Sequence, residues 1–259
     1  MKLMTYNIYH GAVKTRPKVV AIVKGEDPDF LTINEANNFV DDNGKILKQF
    51  AQDAGFPYFE ISFWQSVMGK NTASFSKQPF KEIRIIEPLN RTYIMAVVET
   101  FLGEIAIASV HLSHISEDER LQEIEAILDA QKQYQYRTIM GDLNSLARSD
   151  KYRPEIVDIF NKDQLAKFTS ADKSLHYEVV DKILAADYFD AAVQLGKNQE
   201  STVPTPANED LAHASVPMRL DYIFLSNSLL PHLKNYSVLK NQLTDEASDH
   251  YPVVVELST

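Results

Sequence analysis

The chain has 259 residues, 44% of them hydrophobic, with no cysteine and a formal net charge of −10. That length suits one large domain or two small ones, and the missing cysteines exclude disulfides, thiolate catalysis and cysteine-type zinc sites. The negative charge repels polyanions at long range and disfavours a nucleic-acid partner, although a local groove can differ in sign from the whole.

From the N-terminus, "MKLMTYNIYHG" has one lysine and no uninterrupted apolar stretch. Neither a signal peptide nor membrane insertion is expected there, and the chain reads as cytoplasmic. "KLMTYNI" is a short β-rich run. "RPKVVAIVKGEDPDF" carries Val19, Val20, Ile22 and Val23 in a helical stripe before an Asp-Pro stop. "FLTINEA" is the next strand, and "GKILKQFAQDAGF" a helix closed by Gly55. In "YFEISFW" the apolar Phe59, Ile61 and Phe63 alternate as in a half-buried strand. Four strand-like runs follow, "TASFSKQPF", "EIRIIEPLN", "TYIMAVVET" and "GEIAIASVHLS", read as an antiparallel meander.

"SEDERLQEIEAILDAQKQY" is the clearest helix, with Ser116 and Glu119 at capping-box spacing and Leu121, Ile124 and Leu128 as its stripe. "RTIMGDLNS" is a strand and loop, "YEVVDKILAAD" a helix, and "STVPTPANEDLAHASVP" a long polar loop. "RLDYIFLS" and "SDHYPVVVEL" supply two final strands. With strands spread from end to end and no linker or repeat, residues 1–259 read as a single domain, a layered α/β sandwich with mixed sheets.

Polar residues recur where these strands start or stop: Asn7, Glu35, His111, Asp142, Asn144, Asp221, Asp249 and His250. Taken singly, a strand-end Asn or Asp is a turn residue, and a lone His a satisfied core residue. Their repetition argues for a shared site, because strand ends of an open sheet converge on one edge. Carboxylate and amide oxygens suit Mg2+, with Mn2+ as the alternative, and a His oriented by an Asp suits phosphoryl chemistry.

The stretches "MTYNI", "DPDFLTINEA", "SVHLS", "MGDLNS", "RLDYIFLS" and "SDHYPVVVEL", in that order from Met4 to Leu257, resemble the endonuclease/exonuclease/phosphatase (DNase I-like) superfamily. The resemblance implies a four-layer α/β sandwich: two mixed sheets face to face, with helices outside. It also implies a divalent-metal-dependent phosphoester hydrolase. In that reading Glu35 is the principal metal ligand, and Asn7 and Asp249 help hold or position the ion. Asp142 activates the attacking water, and Asn144 contacts phosphate or water beside it. His250, oriented by Asp221, faces the phosphate, with His111 as the second histidine.

Arg91 is either a phosphate contact or a surface ion pair. Arg120 is structural, His114 solvated, and His10 a turn histidine within reach of the cleft. Asn71 and Ser74 are candidates near the cleft, and Tyr58 and Trp64 pack or stack on a base. With no added domain or basic arm, the expected substrate is a small or soluble phosphoester. A DNA or RNA nuclease and a non-catalytic phospholigand-binding module are the alternatives.

Overall fold

The computed structural model describes residues 1–62, 71–89, 91–207 and 216–258; Phe63 and Trp64 lie outside them. In chain order its elements are β1 (Lys2–Asn7), α1 (Arg16–Glu26), β2 (Phe30–Asn34), α2 (Asp41–Ala54), β3 (Tyr58–Ser62), β4 (Thr72–Ser76), β5 (Phe80–Ile86), β6 (Tyr93–Thr100), β7 (Gly103–His111) and α3 (Glu117–Gln131). There follow β8 (Tyr136–Asp142), α4 (Lys162–Phe168), α5 (Glu178–Ala185), β9 (Tyr188–Asp190), α6 (Ala191–Gln194), β10 (Asp221–Ser226), β11 (Leu233–Val238), α7 (Gln242–Asp245) and β12 (Val253–Leu257).

The strands form two mixed sheets, ordered β11-β12-β1-β2-β4-β3 and β5-β6-β7-β8-β10-β9. Each has one parallel pair near its middle, β1 with β2 and β7 with β8. Leu3, Phe30, Val253 and Val255 of the first sheet meet Ile94, Ile107, Met140 and Ile223 of the second. The outer face of the first sheet buries Leu31, Ile33 and Val254 against Val19, Val23 and Phe50 of α1 and α2. The outer face of the second buries Met95, Ala108 and Ile139 against Ile124, Ile127, Val180 and Ile183 of α3 and α5. Strands apolar on both faces are what a sheet sandwiched between two layers requires, and the four-layer α/β sandwich follows. Each such aliphatic side chain contributes about 1.5–3 kcal/mol on burial.

The four-strand meander divides. β4 pairs antiparallel with β2 and β3 in the first sheet, and only β5, β6 and β7 form a meander in the second. The reason is composition: every residue of β4 is buried, whereas β5 is mostly exposed and belongs at an edge. On α3 the buried stripe runs through Ile124 and Ile127 and includes Arg120, Glu123 and Gln131, with Leu121 and Leu128 only partly covered. Those polar residues are buried because each has partners. Gln131 Nε2 donates to the Ala106 and Thr138 carbonyls, and Arg120 pairs with Glu117 at 2.7 Å. Arg120 is thus structural. Gly55 ends α2 in the left-handed region, its N–H donating to the Ala51 carbonyl.

Ahead of β10, Arg219 is buried between Asp150 and Asp190, with Nη2 at 2.6 and 2.7 Å from their carboxylates and its guanidinium over the Tyr222 ring. This charge cluster pins the chain two residues before Asp221. Ser74 belongs to the interior, where Ser74, Thr32 and Ser109 hydroxyls share hydrogen bonds between the sheets.

Candidate active site

Register places the first three site residues. His111 ends β7 beside Asp142 of parallel β8, and Asp221 opens antiparallel β10 opposite the same Asp142. Side chains at matched positions on neighbouring strands share a face. On the first sheet Asn7 lies beside Asn34, and Glu35 follows Asn34 in a left-handed conformation. The turn before β12 brings in Asp249 and His250.

Asp142 is the fixed point. Gly141 lets β8 press on β7 there: a Cβ at Gly141 would lie 1.8 Å from the Val110 carbonyl oxygen, and its φ is +146°. The Asp142 N–H donates to Asn34 Oδ1 at 2.9 Å. Its carboxylate accepts from the Asn144 N–H at 2.8 Å and from Asn7 Nδ2 at 3.1 Å. Oδ2 also lies 3.5 Å from His111 Nε2 and 3.9 Å from His250 Nε2. Asn7 turns its Oδ1 toward the Tyr9 N–H at 3.1 Å, so its amide braces Asp142.

His250 Nδ1 is 2.8 Å from Asp221 Oδ2. Burial opposes its charge, but Asp221, Asp249 and Asp142 outweigh that and push its pKa up to about 10. The imidazole therefore carries its proton at neutral pH. Burial pushes Asp221 upward, partly offset by the imidazolium; in the pair, the raised histidine follows from three acids surrounding one base. Thr202 Oγ1 accepts from the Asp221 N–H at 3.2 Å, so part of the long polar loop is built into the site.

A cleft of about 460 Å³ is lined by Tyr9, His10, Glu35, His111, His114, Asp142, Asn144, Lys167, Asp249 and His250, among others. Glu35 accepts from the His10 N–H at 2.8 Å, and the exposed His10 ring hydrogen-bonds Asn37, as expected of a turn histidine at the cleft. Burial raises Asp249, and the Glu35 charge raises it further. Two acids that repel across a cleft form a donor set suited to a hard divalent cation. Asp142, Asp221 and His250 also bring one ligand atom each within 4.8 Å of one another, a second group able to hold a metal.

Arg91 is no surface ion pair. It is buried, and donates from Nη1 to the His111 carbonyl at 2.8 Å, with Nη2 at 2.9 Å from His114 Nδ1. It braces the end of β7. His114 is exposed, and lines the cleft. Asn71 is buried with its carbonyl accepting the Ala36 N–H, and neither Asn71 nor Ser74 is among the cleft-lining residues. Tyr58 stands 39% exposed on the edge strand β3.

Two contributors escape the sequence reading. Asn34 directly precedes Glu35 at a strand end, a signal present in "TINEA". Lys167 on α4 gave none. Its Nζ donates to Asn144 Oδ1, while Asn144 Nδ2 donates to the Leu112 carbonyl at 2.8 Å.

Against solved structures, the chain superposes along its whole length on an AP endonuclease from Archaeoglobus fulgidus, with TM-score 0.73 and 17% identity, covering all of that chain. The fold is that of the endonuclease/exonuclease/phosphatase proteins. A variant of the 3' phosphatase NExo from Neisseria, bound to a product DNA hairpin, matches at TM-score 0.74 and 19% identity, again over all of both chains. An endonuclease/exonuclease/phosphatase from Beutenbergia cavernae matches at 0.71 and 19%, over all of this chain and 72% of its own. No family model matches the chain, and no curated protein matches it by sequence. Within this DNase I-like fold the cleft opens at the strand ends where His111, Asp142 and Asp221 meet. Among the described residues no helix is long and apolar enough to cross a membrane.

Proposed function

We propose that the chain is a cytoplasmic, Mg2+-dependent phosphoester hydrolase, with Mn2+ as a competent substitute, acting on a small or soluble phosphoester. The observation that carries this reading is Asp142, braced from three sides and facing a protonated histidine, in the same cleft as Glu35 and Asp249. Asp142 is a carboxylate whose position is fixed before substrate arrives, which is what orienting a water and receiving its proton requires. His250, with Nδ1 given to Asp221, turns Nε2 into the cleft beside Asp142, where it can donate to a phosphoryl oxygen. His111 flanks the other side of Asp142.

Glu35 and Asp249 would hold the metal. An imidazolium is a poor ligand and His250 Nδ1 is engaged with Asp221, so the trio of Asp142, Asp221 and His250 serves a proton better than a cation. When bound, the ion supplies charge neutralisation to the phosphate and its leaving oxygen.

A second reading is a nuclease, favoured by the DNA-acting names of two structures that match over the full length. The net charge of −10 weighs against a long duplex. Assays with Mg2+ or Mn2+, and with EDTA, on p-nitrophenyl phosphate, bis-p-nitrophenyl phosphate, plasmid DNA, abasic duplex and short RNA separate the readings. EDTA-sensitive cleavage of the small esters alone supports the first, and cleavage of nucleic acid supports the second. Silence on all substrates would favour a phospholigand-binding module.

A further inference from the structure

The family resemblance implies that Asn144 contacts phosphate or water, yet its side chain is committed within the protein. Nδ2 donates to the Leu112 carbonyl and Oδ1 accepts from Lys167 Nζ, so both ends of the amide are oriented by groups that cannot exchange roles. The amide therefore presents Lys167. That lysine is half-buried on α4, lines the cleft beside His111, Asp142 and His250, and is the only lysine or arginine among the described cleft-lining residues. Glu35, Asp142, Asp163 and Asp249 make the remaining ionic lining strongly acidic apart from histidines.

We propose that Lys167 binds a terminal phosphoryl oxygen of the substrate and that Asn144 positions it, so that the site prefers a phosphate monoester over an internal diester. This deepens the hydrolase reading and rests on it. A monoester near pH 7 carries close to two negative charges on three terminal oxygens, whereas a diester carries one on two. His250 would answer one oxygen, and a cation held by Glu35 and Asp249 would neutralise further charge at its end of the cleft. In an acidic cleft the third oxygen needs a further positive donor, and among the described lining residues Lys167 is the one lysine or arginine in place to supply it. An ammonium suits this role because it binds phosphate as a compact point charge.

The test compares Lys167→Met and Lys167→Arg with the wild type on p-nitrophenyl phosphate and bis-p-nitrophenyl phosphate under Mg2+. The expected result is that Lys167→Met lowers kcat/KM at least tenfold more for the monoester than for the diester, and that Lys167→Arg restores much of the difference. Equal losses on both esters, or no loss, overturn the proposal. Binding of inorganic phosphate, followed by calorimetry with Mg2+ and with EDTA, separates this from failure of the hydrolase reading. If the wild type hydrolyses neither ester, at least tenfold weaker phosphate binding by Lys167→Met still supports the contact. Unchanged binding, or none by the wild type, refutes it.

Discussion

Replacing Asp221 by Asn removes the acid nearest His250 while keeping an oxygen that accepts the Nδ1–H. At about 1.4 kcal/mol per tenfold change in acidity, the rise of His250 from 6.5 to about 10 corresponds to about 5 kcal/mol favouring the imidazolium. Coulomb's law at the 2.8 Å contact, with an effective dielectric constant of about 20, gives about 6 kcal/mol of gross attraction. Burial subtracts from that figure, and Asp249 and Asp142 add to it. Asp142 remains 3.9 Å from Nε2 in the variant, so part of the rise survives. An adjacent opposite charge moves a pKa by about 1–3, and His250 should titrate between about 7 and 9 in Asp221→Asn. The measurement is the 13Cε1 chemical shift of His250 from pH 5 to 11, in EDTA. Because the folded value lies above the unfolded one, the pair's stabilisation is complete below about 6.5 and lost as pH rises through about 10. The stability gap between wild type and variant should accordingly be widest near pH 6 and narrow toward pH 10. A His250 value that falls by less than 1, or a gap independent of pH, would refute the reasoning.

Glu35→Ala should abolish hydrolysis with the far-UV circular dichroism unchanged, and should remove the thermal shift produced by Mg2+; substantial residual activity overturns the assignment of Glu35. Gly141→Ala forces a methyl against the Val110 carbonyl in a backbone conformation unsuited to it, and should cost about 1–3 kcal/mol; an unchanged urea midpoint contradicts the close approach of β7 and β8. Burial raises the Glu123 carboxyl although it accepts the Ser113 N–H at 2.7 Å. Its deprotonation in the folded state is therefore a cost that grows as pH rises, and Glu123→Gln keeps the hydrogen bond while removing that cost. The variant should gain on the wild type in urea melts as pH rises from the ordinary carboxyl value of 4.5 through the raised folded-state value, and a difference constant from pH 4 upward would show the burial argument to be wrong.

The strand positions and the clustering of strand-end acids were legible because each depends on a few neighbours in sequence: apolar alternation, a Gly before an Asp, an Asp before an apolar run. Partners chosen from afar were not. β4 leaves the expected meander because its all-buried faces demand a central place that β5, with its exposed Lys81 and Arg84, cannot take. Asn34 matters through the Asp142 N–H, 108 residues away, and Arg91 through the His111 carbonyl. The apolar stripe of α3 runs through Ile124 and Ile127 rather than Leu121 and Leu128, because Glu123 and Gln131 find buried partners on that face that no local pattern reveals.

The pairing of β1 with β12, Leu3 opposite Val255 and Thr5 opposite Val253, has a consequence for how the molecule is made. These strands lie side by side in the middle of the first sheet, though nearly the whole chain separates them. During synthesis β1 and β2 emerge early but lack the neighbour that completes their sheet. Closure of so long a loop makes for slow, late assembly. Asp249 and His250 arrive with β12, so the cleft is completed only when the architecture closes. An intermediate lacking β12 would leave the flank of β1 open to pairing with other chains.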